Sequence, residues 1–506
     1  MQAETEINPK SFRLILGCII LGALLIGAAF IFLRAVDADE GFYLSAAKMV
    51  AQGERPYLDF FFPQMPFLPV ALAPLSSAGM NSLFWARAFG LLCHLFLGFL
   101  VYRIAKLYFN DSRISLIAMA VTIFCGPILT WNSLAKPYFL TNMFFAASFL
   151  MLIILMSRRE PNYLQLLLTF IFLGITFNIR SVFIIFVPLY FFLTFFFYKS
   201  AGTLRLRAYL PVILGGLIFP SLYSLRLFIE SPSLFVFNNL GYHLLREQAP
   251  GFLYLLETKL IVLGKVLIQP QYFILIALAV WSLVLINSHK HRNQFSSWQK
   301  MVVQLSLVIS GFITGIYLIP HPVHVQYFNQ ALIFLIIAAL PAIKYLLNEF
   351  KTLKYALAAV YLLALALYPA LYILDIRTKY TNYSINHIKQ VTGLIRANSG
   401  SDDTILTEWP AYSVFADRRQ TSQGEYCGFQ YDFSSPIIPF DKYSLLSNEK
   451  INQVLKSREP KLVIISNYVI EEWKKELENN YTILTQIDDT YIYERKPNAS
   501  SEPNNG

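Results

Sequence analysis

The chain has 506 residues, of which 56% are hydrophobic, 16% aromatic and only 14% charged, against about 25% charged in an average soluble domain. Apolar runs of ~18 residues or more follow one another along much of its length, which excludes a soluble enzyme and points to a polytopic α-helical membrane protein. The formal charge of +10 lies in short Lys and Arg clusters between those runs, where topology accounts for it, so it is no sign of a nucleic-acid partner.

In chain order the apolar runs predict spans near 13–33, 83–102, 114–131, 138–156, 163–179, 181–198, 208–229, 271–287, 301–319, 326–343 and 355–374, about eleven transmembrane helices in all. The first is too long for a signal-peptide core and lacks a small-residue cleavage site, so it reads as a retained anchor. The fifth and sixth are separated only by "NIRS" and also read as one broken helix. Cys18, Cys93 and Cys125 fall inside spans and Cys427 stands alone, a spacing with no zinc or disulfide framework.

Basic residues cluster after every second span: Arg103, Lys106 and Arg113, then Arg158 and Arg159, then Lys199, Arg205 and Arg207, then Lys290, Arg292 and Lys300, then Lys344, Lys351 and Lys354. With Lys10 and Arg13 ahead of the first span, all fall on one side if the N-terminus is cytoplasmic. The acidic segment 34–82, the loop 230–270 and the tail then face outward. The expected domains are a membrane domain over 1–375 that includes 34–82, an extracytoplasmic α/β domain over 376–496 and a disordered tail over 497–506. In the α/β domain "DTILTEW" and "KLVIIS" predict strands, "NEKINQVLKS" a helix, and "YTILTQIDDTYIYER" a hairpin turning at Asp488–Asp489.

The chemistry-bearing stretch is "VDADEGFYLSAAKMVAQGERPYLDFFFPQMPFL", which opens the first outer loop. Asp39 can cap a helix from Glu40 to Gln52 with Gly53 as its stop, and the apolar stripe of Phe42, Ala46, Met49 and Val50 suits a helix lying on the membrane surface. Asp37, Asp39 and Glu40 crowd three carboxylates into four residues. Either one takes up a proton, or a cation or basic side chain sits among them. The plain alternative is a solvated juxtamembrane loop.

The order of parts in this stretch resembles that of GT-C glycosyltransferases using lipid-phosphate sugars, among them the protein O-mannosyltransferases and the aminoarabinose transferases of lipid A. The matching residues are Asp39, Glu40 and Tyr43, then Gly53, Pro56, Tyr57 and Asp59, then Phe62, Pro63 and Pro66. "GITFNIRSVFIIFVP" and "PHPVHVQYFNQALIFLIIAALPAI" resemble later family segments. One departure stands out: many relatives carry a Lys near Gln64, so here another cation must meet the donor phosphate.

The resemblance implies a transfer of a sugar from a polyprenyl-phosphate donor to an acceptor hydroxyl on a lipid, glycan or protein, in the cytoplasmic membrane and on its outer side. Asp39 is then the base, with Glu40 beside it in the catalytic pair. Tyr43, Tyr57, Asp59, Gln64, Arg180 and Tyr327 are the expected substrate-binding residues. Arg180, near the outer face, would contact the phosphate or an acid such as Asp59, or else snorkel at the interface. Asp37, Asp39 and His324 are candidate ligands for a divalent cation such as Mg, Mn or Ca, with His321 three residues from His324. Arg226 and Glu230 read as a helix pair, and the loop with Tyr242 and His243 as a candidate lid. The rival reading is a transporter or flippase of a lipid-linked saccharide. It fits the spans but gives no use to a large outer domain or to an acidic segment without a second copy.

Overall fold

Hydropathy alone built most of the scaffold correctly. The computed structural model describes residues 8–76, 79–158, 160, 162–245, 251–290, 294–320, 322–350, 352–375, 383–421, 443, 448–466 and 471–497. Among them nine helices are long and apolar enough to cross a membrane: Pro9–Leu33, Asn81–Phe109, Tyr138–Met156, Ser181–Ser200, Leu206–Glu230, Pro270–Asn287, Ser297–Leu318, Val325–Glu349 and Leu353–Ile373. The two remaining expected spans are present in altered form. The third is a pair, Ser112–Ile123 and Gly126–Asn132, bent by 58°. The bend falls where Pro127 opens the second helix, and Gly126 is needed there because a Cβ would sit 2.0 Å from the Tyr368 ring. The fifth is the 17-residue helix Tyr163–Ile179, which ends where Arg180 turns extended (φ −137°, ψ 109°). "NIRS" is therefore a true break between two helices. The protein is a multi-pass membrane protein.

Two compact units emerge from the packing. The first takes Met1–Phe32, Arg87–Arg226 and Gln248–Ile373. Its helices are joined through buried amides: Asn142 Nδ2 donates to the Oδ1 atoms of Asn132 and Asn329, each at 2.9 Å, and Asn178 Nδ2 donates to Ser221 Oγ at 2.9 Å. Such bonds between apolar helices contribute ~0.6 to 2 kcal/mol apiece and fix register where lipid-like surfaces alone would slide.

The second unit joins Leu33–Ala86 and Leu227–Glu247 to Leu374–Gly506, so the acidic segment packs with the C-terminal α/β domain. That domain is a mixed five-stranded sheet in the order β2-β1-β3-β5-β4. The strands are β1 (Thr404–Thr407), β2 (Arg419–Gln420), β3 (Leu462–Ser466), β4 (Tyr481–Ile487) and β5 (Thr490–Arg495). β1 pairs in parallel with β2 and β3, while β5 runs antiparallel to both β3 and β4. The helices Asn448–Ser457 and Glu471–Asn480 bury Ile451, Leu455, Trp473 and Leu477 against Leu406, Val463 and Ile465. Both expected strands, the expected helix and the hairpin are present, and Asp488 makes the turn with φ 48°. His387, on the Ile385–Ala397 helix and 3% exposed, ties that helix to the turn: Nδ1 lies 3.0 Å from Asp488 Oδ2 and Nε2 3.1 Å from Thr490 Oγ1.

Candidate active site

The acidic helix runs from Ala38 to Ala51, and its cap is Asp37, not Asp39. Asp37 Oδ1 accepts from Asp39 N at 3.0 Å, and Glu40 Oε2 accepts from Asp37 N at 2.9 Å. This reciprocal capping box needs an acid three residues after the cap, which Glu40 supplies for Asp37. The backbone N–H groups and the positive end of the helix thus hold two of the three crowded carboxylates, a solution the sequence reading did not consider. Glu40 is fully buried and Asp39 is half-buried at the first turn.

Nor does this helix lie on a surface. Gly41 through Ala47 are all buried. One flank meets the Phe67–Leu72 helix and the other the Pro410–Ala416 helix of the α/β domain. Gly41 permits the second approach: a Cβ there would fall 2.5 Å from Ala411 Cβ. Trp409 Nε1 donates to Ala38 O at 2.9 Å, Val36 N donates to Tyr383 O at 2.9 Å, and Lys48 Nζ pairs with Asp417 at 2.7 Å. The Lys48 hydrogen bond draws the Asp417 carboxyl below its ordinary range.

Three expected substrate residues form one chain. Gln64 Nε2 donates to the Tyr43 hydroxyl at 2.6 Å, and the Tyr57 hydroxyl donates to Gln64 O at 2.6 Å. Tyr57 is 1% exposed and takes the left-handed backbone conformation (φ 71°), so it anchors the turn before the aromatic-proline stretch. Tyr43 follows Asp39 by four residues and therefore shares its helix face.

Asp59 takes its cation from Arg55, which the sequence reading passed over. The guanidinium grips both carboxylate oxygens, each at 2.9 Å, while Arg55 N also donates to Oδ2 at 2.8 Å. The same guanidinium reaches Glu230 at 3.1 Å, so Arg55 bridges the acidic loop to the 230–245 segment. The hydrogen bond from Arg55, first among several causes, holds the Asp59 carboxyl below the usual range. Further ties follow: Phe62 N donates to Asn238 Oδ1 at 3.0 Å, His243 Nε2 lies 2.7 Å from Pro63 O, and Tyr242 packs edge-on to Phe61 at 5.1 Å. The candidate lid residues Tyr242 and His243 are thus built into the wall of the loop.

Arg180 and Tyr327 lie in the first unit and meet there. The Arg180 guanidinium stands over three rings, Tyr138 at 5.0 Å, Tyr317 at 5.1 Å and Tyr327 at 5.3 Å. Electron-rich ring faces stabilise a cation taken out of water. Lys136, 3% exposed in the same unit, lies over Trp131 at 5.6 Å, and the Trp131 ring is 6.1 Å from that of Tyr138. Sequence reasoning missed Lys136 because it sits outside every basic cluster; its place just ahead of "PYFL" at a helix start was the available signal.

The proposed metal ligands have other contacts. Asp37 commits an oxygen to its helix cap, His324 packs edge-on to Tyr327 at 5.3 Å in the first unit, and His321 lies outside the described residues. Among the described residues no group of three or more His, Cys, Asp or Glu could hold a metal ion.

No family model matches the chain, and no curated protein matches it by sequence. Solved structures do. The structure of ArnT from Cupriavidus metallidurans bound to undecaprenyl phosphate superposes with a TM-score of 0.66 at 11% identity, covering 94% of this chain and 97% of that one. The chain shares the fold of that ArnT. The apo form of the same ArnT gives 0.64 at 10% identity. The apo oligosaccharyltransferase of Archaeoglobus fulgidus gives 0.52 at 11% identity, over 97% of this chain and 75% of that one. The GT-C resemblance of the acidic loop and the fold of the whole chain thus agree, although identity near a tenth says nothing of substrate.

Proposed function

We propose that the protein is an integral-membrane GT-C glycosyltransferase that moves a sugar from a polyprenyl-phosphate donor to an acceptor hydroxyl on the extracytoplasmic side, with inversion at the anomeric carbon. The observation that carries this reading is the match of a GT-C fold along nearly its whole length to a carboxylate-tipped helix clamped by the α/β domain. Such clamping suits catalysis, because a reacting group must be held to a fraction of an ångström.

In this mechanism Asp39 takes the proton of the acceptor hydroxyl as it attacks the anomeric carbon. A single displacement needs one base, and Asp39 is the member of the trio outside the capping box. Glu40 acts on the helix end: it holds the Asp37 backbone and so fixes where Asp39 stands. Gln64, lacking the charge relatives carry there, hydrogen-bonds Tyr43 and shapes the wall. The negative charge gathering on the departing lipid phosphate requires a fixed cation, a role assigned to Arg180 with Lys136 as its companion. No step is routed through a metal.

The test is purified protein in detergent with a synthetic polyprenyl-phosphate sugar and a panel of lipid, glycan and peptide acceptors. The expected result is release of free polyprenyl phosphate with a product of inverted configuration. Movement of intact donor across proteoliposomes without bond cleavage would replace the enzyme by a transporter.

A further inference from the structure

A groove in the first unit is lined by none of the residues given a role in transfer. The helices Ser112–Ile123, Pro270–Asn287, Asn329–Glu349 and Leu353–Pro369 enclose a groove of about 250 Å³, larger than the ~150 Å³ cavity that suffices to hold benzene. Its walls are apolar, with Ile117, Leu278, Leu346 and Leu362 contributed one from each helix, and the lining residue Ala358 is exposed. Tyr361 forms part of the lining and is pinned, its hydroxyl donating to Val121 O at 2.7 Å, so this wall is preformed. Lys354 is the charged residue of the lining and closes one end. Its Nζ donates to Leu347 O at 3.4 Å, which leaves further N–H groups for an anion.

We infer that this groove binds one acyl chain of an anionic phospholipid, with the headgroup phosphate on Lys354. Length separates this occupant from the donor lipid. From Lys354 to Leu362 the groove follows eight residues of helix, ~12 Å at 1.5 Å per residue, which matches the ~15 Å of one leaflet. A polyprenyl chain is far longer and would leave most of its tail outside. Charge selects the headgroup. Lys354 supplies a cation in the lining, and basic pockets between spans attract anionic headgroups. The bound lipid would brace the Leu353–Pro369 helix, whose outer face is largely uncovered by protein.

Native mass spectrometry of the full-length protein, loaded with phosphatidylglycerol or phosphatidylcholine, tests this. The parent should retain phosphatidylglycerol over phosphatidylcholine. Lys354→Ala should weaken that retention about fivefold, the equivalent of one surface lysine near an anionic lipid. Ala358→Trp, which fills the groove, should abolish it; Ala358→Leu serves if the larger residue prevents folding. Equal retention of the two lipids, or parent-like retention in Lys354→Ala, would overturn the inference. So would displacement of phosphatidylglycerol by added polyprenyl phosphate, which would make the groove a donor-tail site.

Discussion

Gly41 is the point at which the α/β domain meets the acidic helix. In Gly41→Ala the new Cβ meets Ala411 at 2.5 Å from its Cβ, 2.8 Å from its N and 2.9 Å from its Cα. Two of these atoms are backbone, so relief requires the helices to separate rather than a rotamer to change. Overpacking of this kind costs about 1 to 3 kcal/mol, against a helix-propensity gain of up to ~1 kcal/mol for replacing Gly by Ala. The net expectation is a loss of up to ~2 kcal/mol, growing in Gly41→Val as bulk is added and propensity falls. Activity should fall further than stability, because a shift of ~1 Å at the reacting group costs about 100-fold. Ala411→Gly in the Gly41→Ala background should restore only part, since the backbone contacts remain. Gly17→Ala is the control: it has nothing within 4 Å and should lose neither stability nor transfer. Thermal unfolding in detergent and donor turnover, measured side by side, read both effects. If Gly41→Ala behaves like Gly17→Ala in both, the close approach of the two helices is not what holds Asp39.

Other consequences are as direct. Arg180→Ala should lower turnover by about 100-fold or more, the scale of a lost charge-stabilising donor, while Arg180→Lys recovers part because a point charge replaces a planar fork; parent-like turnover in both makes Arg180 a membrane anchor. Asp59 and Asp417 both titrate below their ordinary value of 3.8 through Arg55 and Lys48, so their contribution to stability is complete above that pH and lost as the pH falls through the depressed values. Arg55→Ala should flatten the Asp59 part of that acid loss in unfolding curves taken from neutral pH downward; an unchanged profile contradicts the pairing. Reporter fusions after Ser157 and at Gly506 should fall in opposite compartments, with the C-terminal fusion outside.

What the sequence made legible depended on how local each signal was. Spans were readable because the bilayer sets one length and one polarity, and the bend at Gly126-Pro127 was missed because it leaves the hydropathy of 114–131 intact. The hairpin announced itself by alternation and by Asp488–Asp489. The helix cap was misplaced by two residues because Asp37 and Asp39 are equally good caps; only the Asp-to-Glu spacing of the capping box decides between them. Burial of the same helix was invisible for another reason. The partner that fills the space over Gly41 is Ala411, some 370 residues away, and no local pattern encodes it. Arg55 and Asp59 stand four apart, but the acidic helix ends at Ala51 and Pro56 lies between them, so no helical pattern announces the pair. Arg180 was readable as a costly charge near apolar spans. Its tyrosine cage was not, because Tyr138, Tyr317 and Tyr327 come from three separate helix ends.

The most direct measurement is sugar transfer from a polyprenyl-phosphate donor by Asp39→Asn, with Asp37→Asn and Glu40→Gln beside it and each variant checked for monodispersity. Asn can cap and Gln can complete the capping box, so all three should fold. Asp39→Asn keeps the shape and removes the proton acceptor, and turnover should fall ~100-fold or more. Glu40→Gln should be milder and Asp37→Asn mildest. Full turnover in Asp39→Asn would contradict the account, leaving the carboxylates as a capped helix end and no more.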